Sequence, residues 1–236
     1  MTERPGALLE ARGLTAGYGP IVVVRELDLE VNAGEVVALL GPNGAGKTTT
    51  LMTLAGVLPP LGGSVIWQGA SSPGPLHRRA RNGLGFLPEA RSVIMSLTTR
   101  DNLRLAGGDS GHALELFPEL AGRLRVPAGL LSGGEQQMLS LARMLGRRPN
   151  VVLADEVSLG LAPQIVRRLL RALRDAADSG VGVLLVEQQI RHALEVSDRG
   201  YVMRRGQIRI AGSAAELRAR LPEIEETYLS AAARPA

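Results

Sequence analysis

The chain has 236 residues, of which 45% are hydrophobic, and its 27 basic and 23 acidic residues leave a formal net charge of +4. This length and hydrophobicity allow one large buried core, which excludes a disordered tail or a fibre. Cysteine is absent, which excludes disulfides, thiolate metal ligands and cysteine nucleophiles. The small net charge and an aromatic content of 3% give no basis for nucleic acid as a partner.

Alternating strands and helices are predicted along the chain. Short apolar runs between turn residues predict strands, and apolar residues at three-to-four-residue spacing predict helices. The predicted strands are Ile21–Val24, Leu27–Val31, Glu35–Leu40, Ser64–Trp67, Val151–Ala154 and Val181–Val186. The predicted helical segments are Thr49–Leu58, Ala113–Leu120, Ser132–Leu145 and Gln164–Ala177. This alternation predicts an α/β fold in which helices cover both faces of a mainly parallel sheet.

One of the 27 basic residues is a lysine, Lys47, and all the others are arginine. A lysine kept in such a sequence marks a place where a compact ammonium on a thin stem is needed, although chance survival is the alternative. Its surroundings favour the first interpretation, because Lys47 follows a predicted strand and stands within GPNGAGKT.

The segment from Gly41 to Thr48 fits the phosphate-binding pattern G-x-x-x-x-G-K-[ST] at every fixed position. Its glycines allow a backbone in which successive N–H groups and the following helix N-terminus surround phosphate oxygens. Lys47 can neutralise the β- and γ-phosphates, and the Thr48 hydroxyl can ligate Mg²⁺. A glycine-rich turn with a coincidental lysine is the alternative. The residues of this loop predicted to bind ATP are Gly41, Pro42, Asn43, Gly44, Ala45, Gly46, Lys47, Thr48 and Thr49.

Two carboxylates, Asp155 and Glu156, follow the predicted strand Val151–Ala154. Open α/β sheets bind their ligands at the carboxyl ends of their strands. We therefore predict that Asp155 holds Mg²⁺ and that Glu156 polarises the attacking water. A strand that ends in solvated acids is the alternative, which the upstream phosphate-binding loop makes the weaker one.

The segment from Leu131 to Glu135, LSGGE, permits two interpretations that can hold together. Ser132 and Glu135 have the spacing of a capping box at the start of a helix. A capping box does not require Gly133 and Gly134, which leave the helix N-terminus bare for a second phosphate. Two phosphate-binding helix ends far apart in sequence suggest that two chains share each nucleotide.

The phosphate-binding loop, LSGGEQQ, the strand ending in Asp-Glu and the SLGL stretch occur in this order, and together they resemble an ATP-binding-cassette (ABC) ATPase. The resemblance covers residues 8–230 and implies a P-loop NTPase fold of ABC type. That fold has a mainly parallel core sheet flanked by helices, an antiparallel β subdomain and a short helical subdomain. One nucleotide-binding domain would span 1–236, with the RecA-like core and β subdomain at 8–83 and 146–236 and the helical subdomain at 84–145.

The resemblance also assigns roles to single residues. Tyr18 falls at the position of the aromatic residue that stacks on adenine, although an ordinary strand tyrosine is the alternative. Glu89 falls in the loop that usually holds a glutamine near Mg²⁺ and the permease. Gln188 falls where most members carry a switch histidine, and a polar strand-end residue is the alternative. The resemblance thus implies the catalytic residues Glu156 and Gln188, the metal ligands Thr48, Glu89 and Asp155, and the signature residues Leu131, Ser132, Gly133, Gly134 and Glu135, which contact ATP in a partner.

Several stretches, among them SLGLAP, LLVEQ and the near-terminal ETYLS, resemble the ATP-binding subunits of branched-chain amino-acid importers, the LivF type. This implies an ATPase that uses ATP and Mg²⁺ and drives uptake through head-to-tail closure of two ATPase domains. The implied partners are a second ABC ATPase subunit, identical or different, two transmembrane permeases and, indirectly, a solute-binding protein. The implied place is the cytoplasmic face of the cell membrane. A urea or short-amide importer and a soluble ABC ATPase outside transport are the alternatives.

Two features depart from the family pattern. Val157 stands where proline usually follows Asp-Glu, and the segment between Glu89 and Ser132 looks short. We therefore expect a looser exit from the strand and a trimmed helical subdomain.

Overall fold

A computed structural model describes residues 7–71 and 74–232. The strands in these ranges are β1 (Leu9–Tyr18), β2 (Ile21–Val31), β3 (Val36–Leu40), β4 (Gly62–Trp67), β5 (Ala70–Ser71), β6 (Leu84–Leu87), β7 (Val151–Asp155), β8 (Gly182–Glu187), β9 (Arg199–Arg204) and β10 (Gln207–Ser213). The helices are α1 (Lys47–Ala55), α2 (Leu76–Arg81), α3 (Thr99–Leu105), α4 (Ser110–Leu116), α5 (Gly133–Leu145), α6 (Pro163–Asp178), α7 (Ile190–Val196), α8 (Ala214–Ala219) and α9 (Leu221–Ala232). None of these helices combines the length and the apolar character that crossing a bilayer requires.

A six-stranded sheet in the order β10-β9-β3-β8-β7-β6 forms the core, and all its neighbouring pairs are parallel except β10 with β9. Every residue of β3, β7 and β8 is buried. Strands buried on both faces have continuous apolar runs, which is why these three were predictable from the sequence. Their register places Leu40 opposite Glu187 and Asp155 opposite Val186, so the three carboxyl ends lie side by side.

The two faces of this sheet pack into separate hydrophobic clusters. Val36, Ala38 and Leu40 of β3 face a cluster that includes side chains of α5 and α6. Val37 and Leu39 face the opposite cluster, which includes side chains of α1 and of the second sheet. Because successive side chains of a strand point to opposite faces of the sheet, β3 contributes to both hydrophobic clusters.

The second sheet is antiparallel, with the order β2-β1-β4-β5. The prediction of two strands at 21–31 was wrong, because β2 is one strand that continues through Glu26 at φ 47°. The bulge there shifts the side-chain alternation by one residue, so Val24 before it and Leu27 after it both face the core. Strand β1 was missed for the same reason, since Gly13 at φ 55° interrupts its alternation.

Two predicted helices end earlier than expected. Helix α1 ends before Gly56, whose φ of 80° forms a left-handed C-cap, so the helix stops before the two prolines that were expected to end it. Helix α4 ends at Leu116, because Pro118 cannot continue an α-helix and begins a 3₁₀ segment, Pro118–Arg123.

The helical subdomain boundaries stay a prediction, and one element bears on them. Strand β6 pairs in parallel with β7 and so belongs to the core sheet. The first helix after it, α3, begins at Thr99. We therefore place the start of the helical subdomain after Leu87 rather than at residue 84.

Candidate functional site

The loop between β3 and α1 has the geometry that its glycines predict. Gly44 has φ 75° and Gly46 has φ 106°, conformations that side chains disfavour. Gly46 is the N-cap of α1 and supplies no side-chain cap, so the first N–H groups of the helix have no side-chain partner. A helix N-terminus of this kind carries partial positive charge and attracts anions.

Lys47 is buried, with 4% of its surface exposed. Its Nζ donates to the carbonyl oxygens of Gly41, at 2.8 Å, and Pro42, at 3.2 Å, and lies 3.7 Å from Glu156 Oε1. Burial lowers the pKa of Lys47, while the charges of Glu156 and Asp155 oppose this shift. The one lysine of the chain thus lies across the loop, between the loop carbonyls and a carboxylate.

Asp155 is the last residue of β7 and is 1% exposed. Burial raises the pKa of Asp155 to about 6, and a hydrogen bond with the Thr48 side chain opposes the shift. Its Oδ1 atom is buried without a hydrogen-bond partner. A buried carboxylate oxygen without a partner beside a threonine hydroxyl fits Mg²⁺, which proteins bind through one or two carboxylates together with substrate phosphates.

Glu156 adopts a left-handed conformation, with φ 48°, that only a few non-glycine residues adopt. Its N–H donates to the Val186 carbonyl at 2.9 Å, which ties this bend to β8. The Gln188 Nε2 donates to Glu156 Oε2 at 2.7 Å. The predicted base and the predicted switch residue are therefore in direct contact, and the strained backbone aims the carboxylate at Lys47.

Glu187 is a third acid of the site, which the sequence reasoning missed. It is 1% exposed, and it accepts hydrogen bonds from the Ser158 N–H at 3.0 Å and the Ser158 Oγ at 2.6 Å. Burial raises the pKa of Glu187 to about 7, although both bonds from Ser158 oppose the shift. An acid inside an otherwise apolar strand was the available signal, because such a residue needs a partner.

The capping-box interpretation of LSGGE is confirmed. Ser132 Oγ accepts from the Glu135 N–H, and Glu135 accepts from the Ser132 N–H. The two glycines have packing reasons of their own: a Cβ on Gly133 would lie 2.7 Å from the Arg91 guanidinium, and one on Gly134 would lie 3.1 Å from Ile165. Ser132 itself is exposed. The contact of this segment with a partner's nucleotide stays a prediction.

Two of the residues assigned by resemblance lie at the edge of the site. Tyr18 ends β1, is 47% exposed, and its hydroxyl lies 3.9 Å from the Met52 sulfur on α1. Glu89 is exposed on the loop after β6, lines a cleft that also includes Glu156, and its charge helps to raise the pKa of Asp155. Val157 is 1% exposed and packs into the core. The looser strand exit expected from this residue stays a prediction.

The structure therefore brings most, but not all, of the predicted residues together. Lys47, Thr48, Asp155, Glu156 and Gln188 form one cluster at the carboxyl ends of β3, β7 and β8. Within residues 7–71 and 74–232, no hydrogen bond or ion pair joins this cluster to the signature segment 131–135.

A parallel sheet with a phosphate-binding loop after one strand and paired acids after another defines the P-loop NTPase class. The sequence pattern of the family described as "ABC transporter" matches residues 24–158. The chain belongs to this family of ATP-binding proteins, and it is an ATPase. ABC ATP-binding subunits of transporters work with membrane permease subunits.

Several curated relatives match over most of the chain. BraG of Pseudomonas aeruginosa, a high-affinity branched-chain amino acid transport ATP-binding protein, is 39% identical over 90% of this chain and 95% of its own length. LivF of Archaeoglobus fulgidus, a probable branched-chain amino acid transport ATP-binding protein, is 34% identical over 89% and 94%. LptB of Escherichia coli K12, a lipopolysaccharide export system ATP-binding protein, is 37% identical over 89% and 92%.

Solved structures show the same fold. An ATP-binding subunit of an ABC transporter is 28% identical and superposes with a TM-score of 0.80 over 94% of this chain and 98% of that chain. A nucleotide-free ATP-binding cassette from an ABC transporter, at 22% identity, superposes with a TM-score of 0.85 over 94% and 99%. The predicted fold class is confirmed.

Proposed function

We propose that this chain is the ATP-hydrolysing subunit of an ABC importer that takes up branched-chain or other hydrophobic amino acids. The observation that supports the substrate class is the 39% identity to BraG, a branched-chain amino acid transport ATP-binding protein, over 90% of the chain. The observation that supports hydrolysis is the buried cluster in which Glu156 lies between Lys47 and Gln188.

Phosphate binding is assigned to the loop 41–49. The bare N-terminus of α1 supplies N–H donors, and the Lys47 ammonium, held at the loop carbonyls, is placed to exchange these bonds for phosphate oxygens. Tyr18, beside α1, is assigned to stack on the adenine ring.

Mg²⁺ would be held by Thr48 and Asp155, with Glu89 in the outer part of the site. When bound, the ion neutralises charge on the β- and γ-phosphates. The buried Asp155 oxygen without a partner is the feature of the chain that fits it.

Water activation is assigned to Glu156. A general base must lie within hydrogen-bond reach of the water that it polarises, and the Gln188 amide holds one carboxylate oxygen of Glu156 at 2.7 Å. The other oxygen faces Lys47 at 3.7 Å, so the carboxylate has a fixed orientation. An amide is not protonated near neutral pH, so Gln188 cannot accept the proton of the attacking water. Gln188 is therefore assigned to position Glu156, and Glu156 is assigned to accept the proton.

The signature segment 131–135, in which Ser132 is exposed and which has no bond to the cluster of its own chain among the described residues, is assigned to the ATP of a second ATPase subunit. Two such subunits would close head to tail on two permeases at the cytoplasmic face of the membrane, and a solute-binding protein would supply the amino acid.

Export is the second candidate, and the 37% identity to LptB over 89% of the chain favours it. A urea or short-amide importer would differ from the proposed function in its substrate, and an ABC ATPase outside transport would differ in its partners. An uptake experiment with several labelled solutes separates these functions.

Uptake of labelled leucine, valine and urea tests the proposal in cells of the source organism that lack this chain. We expect loss of leucine and valine uptake, restored by the wild-type chain and not by Glu156→Gln. Urea uptake is expected to stay unchanged. Leucine and valine uptake that persists without the chain would overturn the importer assignment, while ATP hydrolysis by the purified chain would test the ATPase separately.

A further inference from the structure

Glu187 is a buried acid to which the functions assigned above give no role. It is the last residue of β8, and the alternation of the strand places it on the same face as Val183 and Leu185, which pack into the hydrophobic cluster on the α5–α6 side. An acid at such a position costs hydration free energy that an apolar residue would not cost. Its presence therefore calls for an explanation in the contacts that it makes.

The register of the core sheet places Glu187 between two parts of the ATPase site. On one side it lies opposite Leu40, the residue directly before the phosphate-binding loop. On the other side β8 pairs with β7, where Asp155 lies opposite Val186 and the chain turns away at the next residue, Glu156. Glu187 is thus adjacent both to the loop and to the turn that carries the proposed base.

Three consecutive residues at the end of β8 hold this turn. The Val186 carbonyl accepts from the Glu156 N–H at 2.9 Å, and Gln188 Nε2 donates to the Glu156 carboxylate at 2.7 Å. Between them, the Glu187 carboxylate accepts from the Ser158 N–H at 3.0 Å and from the Ser158 Oγ at 2.6 Å. Ser158 is itself buried, so these two bonds are shielded from water.

The turn depends on such bonds because its backbone is strained. Glu156 has φ 48°, and a residue other than glycine keeps this conformation where the surrounding structure holds it there. Within the turn, the Leu159 N–H donates to the Glu156 carbonyl at 3.3 Å, which is long for such a bond. The two bonds from Ser158 to Glu187 therefore fix the direction in which the chain leaves Glu156.

We propose that Glu187 is a positioning residue of the ATPase site, which holds Ser158 and so orients the Glu156 carboxylate towards the attacking water. The inference rests on the proposed role of Glu156 as the general base. The position requires a hydrogen-bonding partner for the Ser158 N–H and hydroxyl, and it does not require a charge, because neither group of Ser158 is ionised.

The test is Glu187→Met in the full chain, which removes both acceptor oxygens and keeps an unbranched side chain of similar size. The turnover number, the ATP affinity and the melting temperature are measured. We expect turnover to fall on the order of tenfold because the base is misplaced, while ATP affinity stays within about twofold. The melting temperature is expected to change little, since the two donors left unpaired on Ser158 are offset by the loss of a buried acid. A purely structural residue would change the melting temperature and leave the turnover of the folded protein unchanged.

Two further variants separate the hydrogen bonds from the charge. In Glu187→Gln the amide oxygen can accept from the Ser158 N–H and the amide nitrogen can donate to the Ser158 Oγ, so turnover is expected to return to within about threefold of wild type. Ser158→Ala removes one of the two bonds from the other side. It is expected to lower turnover in the wild-type background and not in the Glu187→Met background, because the two residues act as a pair.

The matched control is Glu35→Met, the same substitution at the opposite edge of the core sheet. Glu35 directly precedes β3 and accepts from the Asn32 N–H at 2.6 Å and from Arg199 Nη2 at 2.8 Å. This variant leaves the Arg199 charge without that partner, so it is expected to melt at a lower temperature. Its turnover number is expected to stay at the wild-type value.

Glu187→Met with wild-type turnover would overturn the inference, and so would Glu187→Gln that loses as much turnover as Glu187→Met. Ser158→Ala with wild-type turnover would overturn it as well, which keeps the inference testable if Glu187→Met does not fold. Glu156→Gln, measured in the same assay, separates this failure from failure of the proposed function. If Glu156→Gln loses turnover and Glu187→Met keeps it, the role of Glu187 alone is overturned. If Glu156→Gln hydrolyses ATP like wild type, the assignment of the base itself is wrong.

Discussion

The two helix ends to which we assign phosphate binding, the N-termini of α1 and α5, are built in opposite ways. The N-terminus of α1 has no side-chain cap, and the charges of the buried acids at the ends of β7 and β8, Asp155, Glu156 and Glu187, act on its Lys47. The N-terminus of α5 is capped by its own serine and glutamate, and Ser132 is exposed. The N-terminus of α1 lies among buried charges of its own chain, whereas the N-terminus of α5 has its cap satisfied by its own side chains and carries the exposed Ser132. The difference supports a site completed by a second subunit.

The electrostatics of the two regions differ in the same way. Around α1, burial raises the pKa of Asp155 and of Glu187, because the loss of solvation destabilises each carboxylate more than its hydrogen bonds stabilise it. At α5, a hydrogen bond from Arg123, assisted by the Ser132 backbone, lowers the pKa of Glu135. Buried acids with raised pKa values, such as Asp155 and Glu187, are typical of catalytic sites. A surface acid with satisfied hydrogen bonds, such as Glu135, is more typical of a structural or interface contact.

Glu156→Gln is expected to have the largest effect. Removing the general base should lower the turnover number at least about 100-fold while ATP still binds, since the loop 41–49 is unchanged. ATP hydrolysis, ATP affinity and ATP-dependent dimer formation by size-exclusion chromatography measure this. The control is Glu216→Gln, because Glu216 forms a capping box with Ser213 at the start of α8, and this variant should keep its turnover. Ordinary hydrolysis by Glu156→Gln would contradict the role of the base.

Ser132→Arg tests the surface helix end and should lower turnover at least about tenfold by blocking closure, since it places a bulky charge where a phosphate is expected. Affinity for ATP in the subunit's own loop should not change. The chain offers a matched control in Ser213, which caps α8 through the same box with Glu216. Ser132→Arg and Ser213→Arg should each lose a cap that contributes about 1 kcal/mol, so similar melting temperatures with different turnover are expected. Full turnover in Ser132→Arg would contradict the assignment of the α5 N-terminus to the ATP of a second subunit.

Gln188→Ala tests the contact between the switch position and the base. A hydrogen bond to a charged group contributes about 2 kcal/mol, so turnover should fall on the order of tenfold with little change in ATP affinity. Gln189→Ala is the control, because its side chain is the exposed neighbour on the same turn. Steady-state kinetics would contradict the positioning role if both variants behaved alike.

Glu187→Gln is expected to change the pH dependence of stability. Burial raises the pKa of Glu187 from 4.5 to about 7, so the folded protein holds this proton more tightly than the unfolded chain. The contribution of Glu187 to the free energy of unfolding is therefore largest at low pH, falls as the pH rises from 4.5 to about 7, and is constant above. The Gln variant should melt with a flatter pH profile.

Melting temperatures measured across that window check this prediction. A difference between wild type and Glu187→Gln that grows in favour of wild type with rising pH would contradict it. Glu216→Gln should show the opposite sign, because hydrogen bonds from Ser213 lower the pKa of Glu216.

Motifs made of consecutive residues were predictable because their geometry is local. A glycine at φ 106° before Lys47 and a capping box at Ser132 need only their neighbours in the chain. Continuous apolar runs likewise predicted β3, β7 and β8, because a parallel strand that is buried on both faces needs an apolar residue at nearly every position.

Strands with bulges were not predictable in the same way. In β1 and β2 the alternation of buried residues changes phase at Gly13 and at Glu26, and only pairing with a neighbour shows that each is one strand. Contacts between distant residues were also out of reach: Glu187 accepts hydrogen bonds from Ser158, 29 residues away, and Gln188 donates to Glu156, 32 residues away.

The sequence by itself determined the class of this protein and the residues of its phosphate-binding loop. Both depend on motifs of consecutive residues, such as GPNGAGKT, whose local backbone geometry follows from the residues themselves. Only the tertiary structure decided which charges share a site and which stay apart. It placed Lys47, Asp155, Glu156 and Gln188 at adjoining strand ends and left Ser132 at the surface. The reason is that strand register in a parallel sheet depends on packing between segments far apart in the chain, which no local pattern encodes.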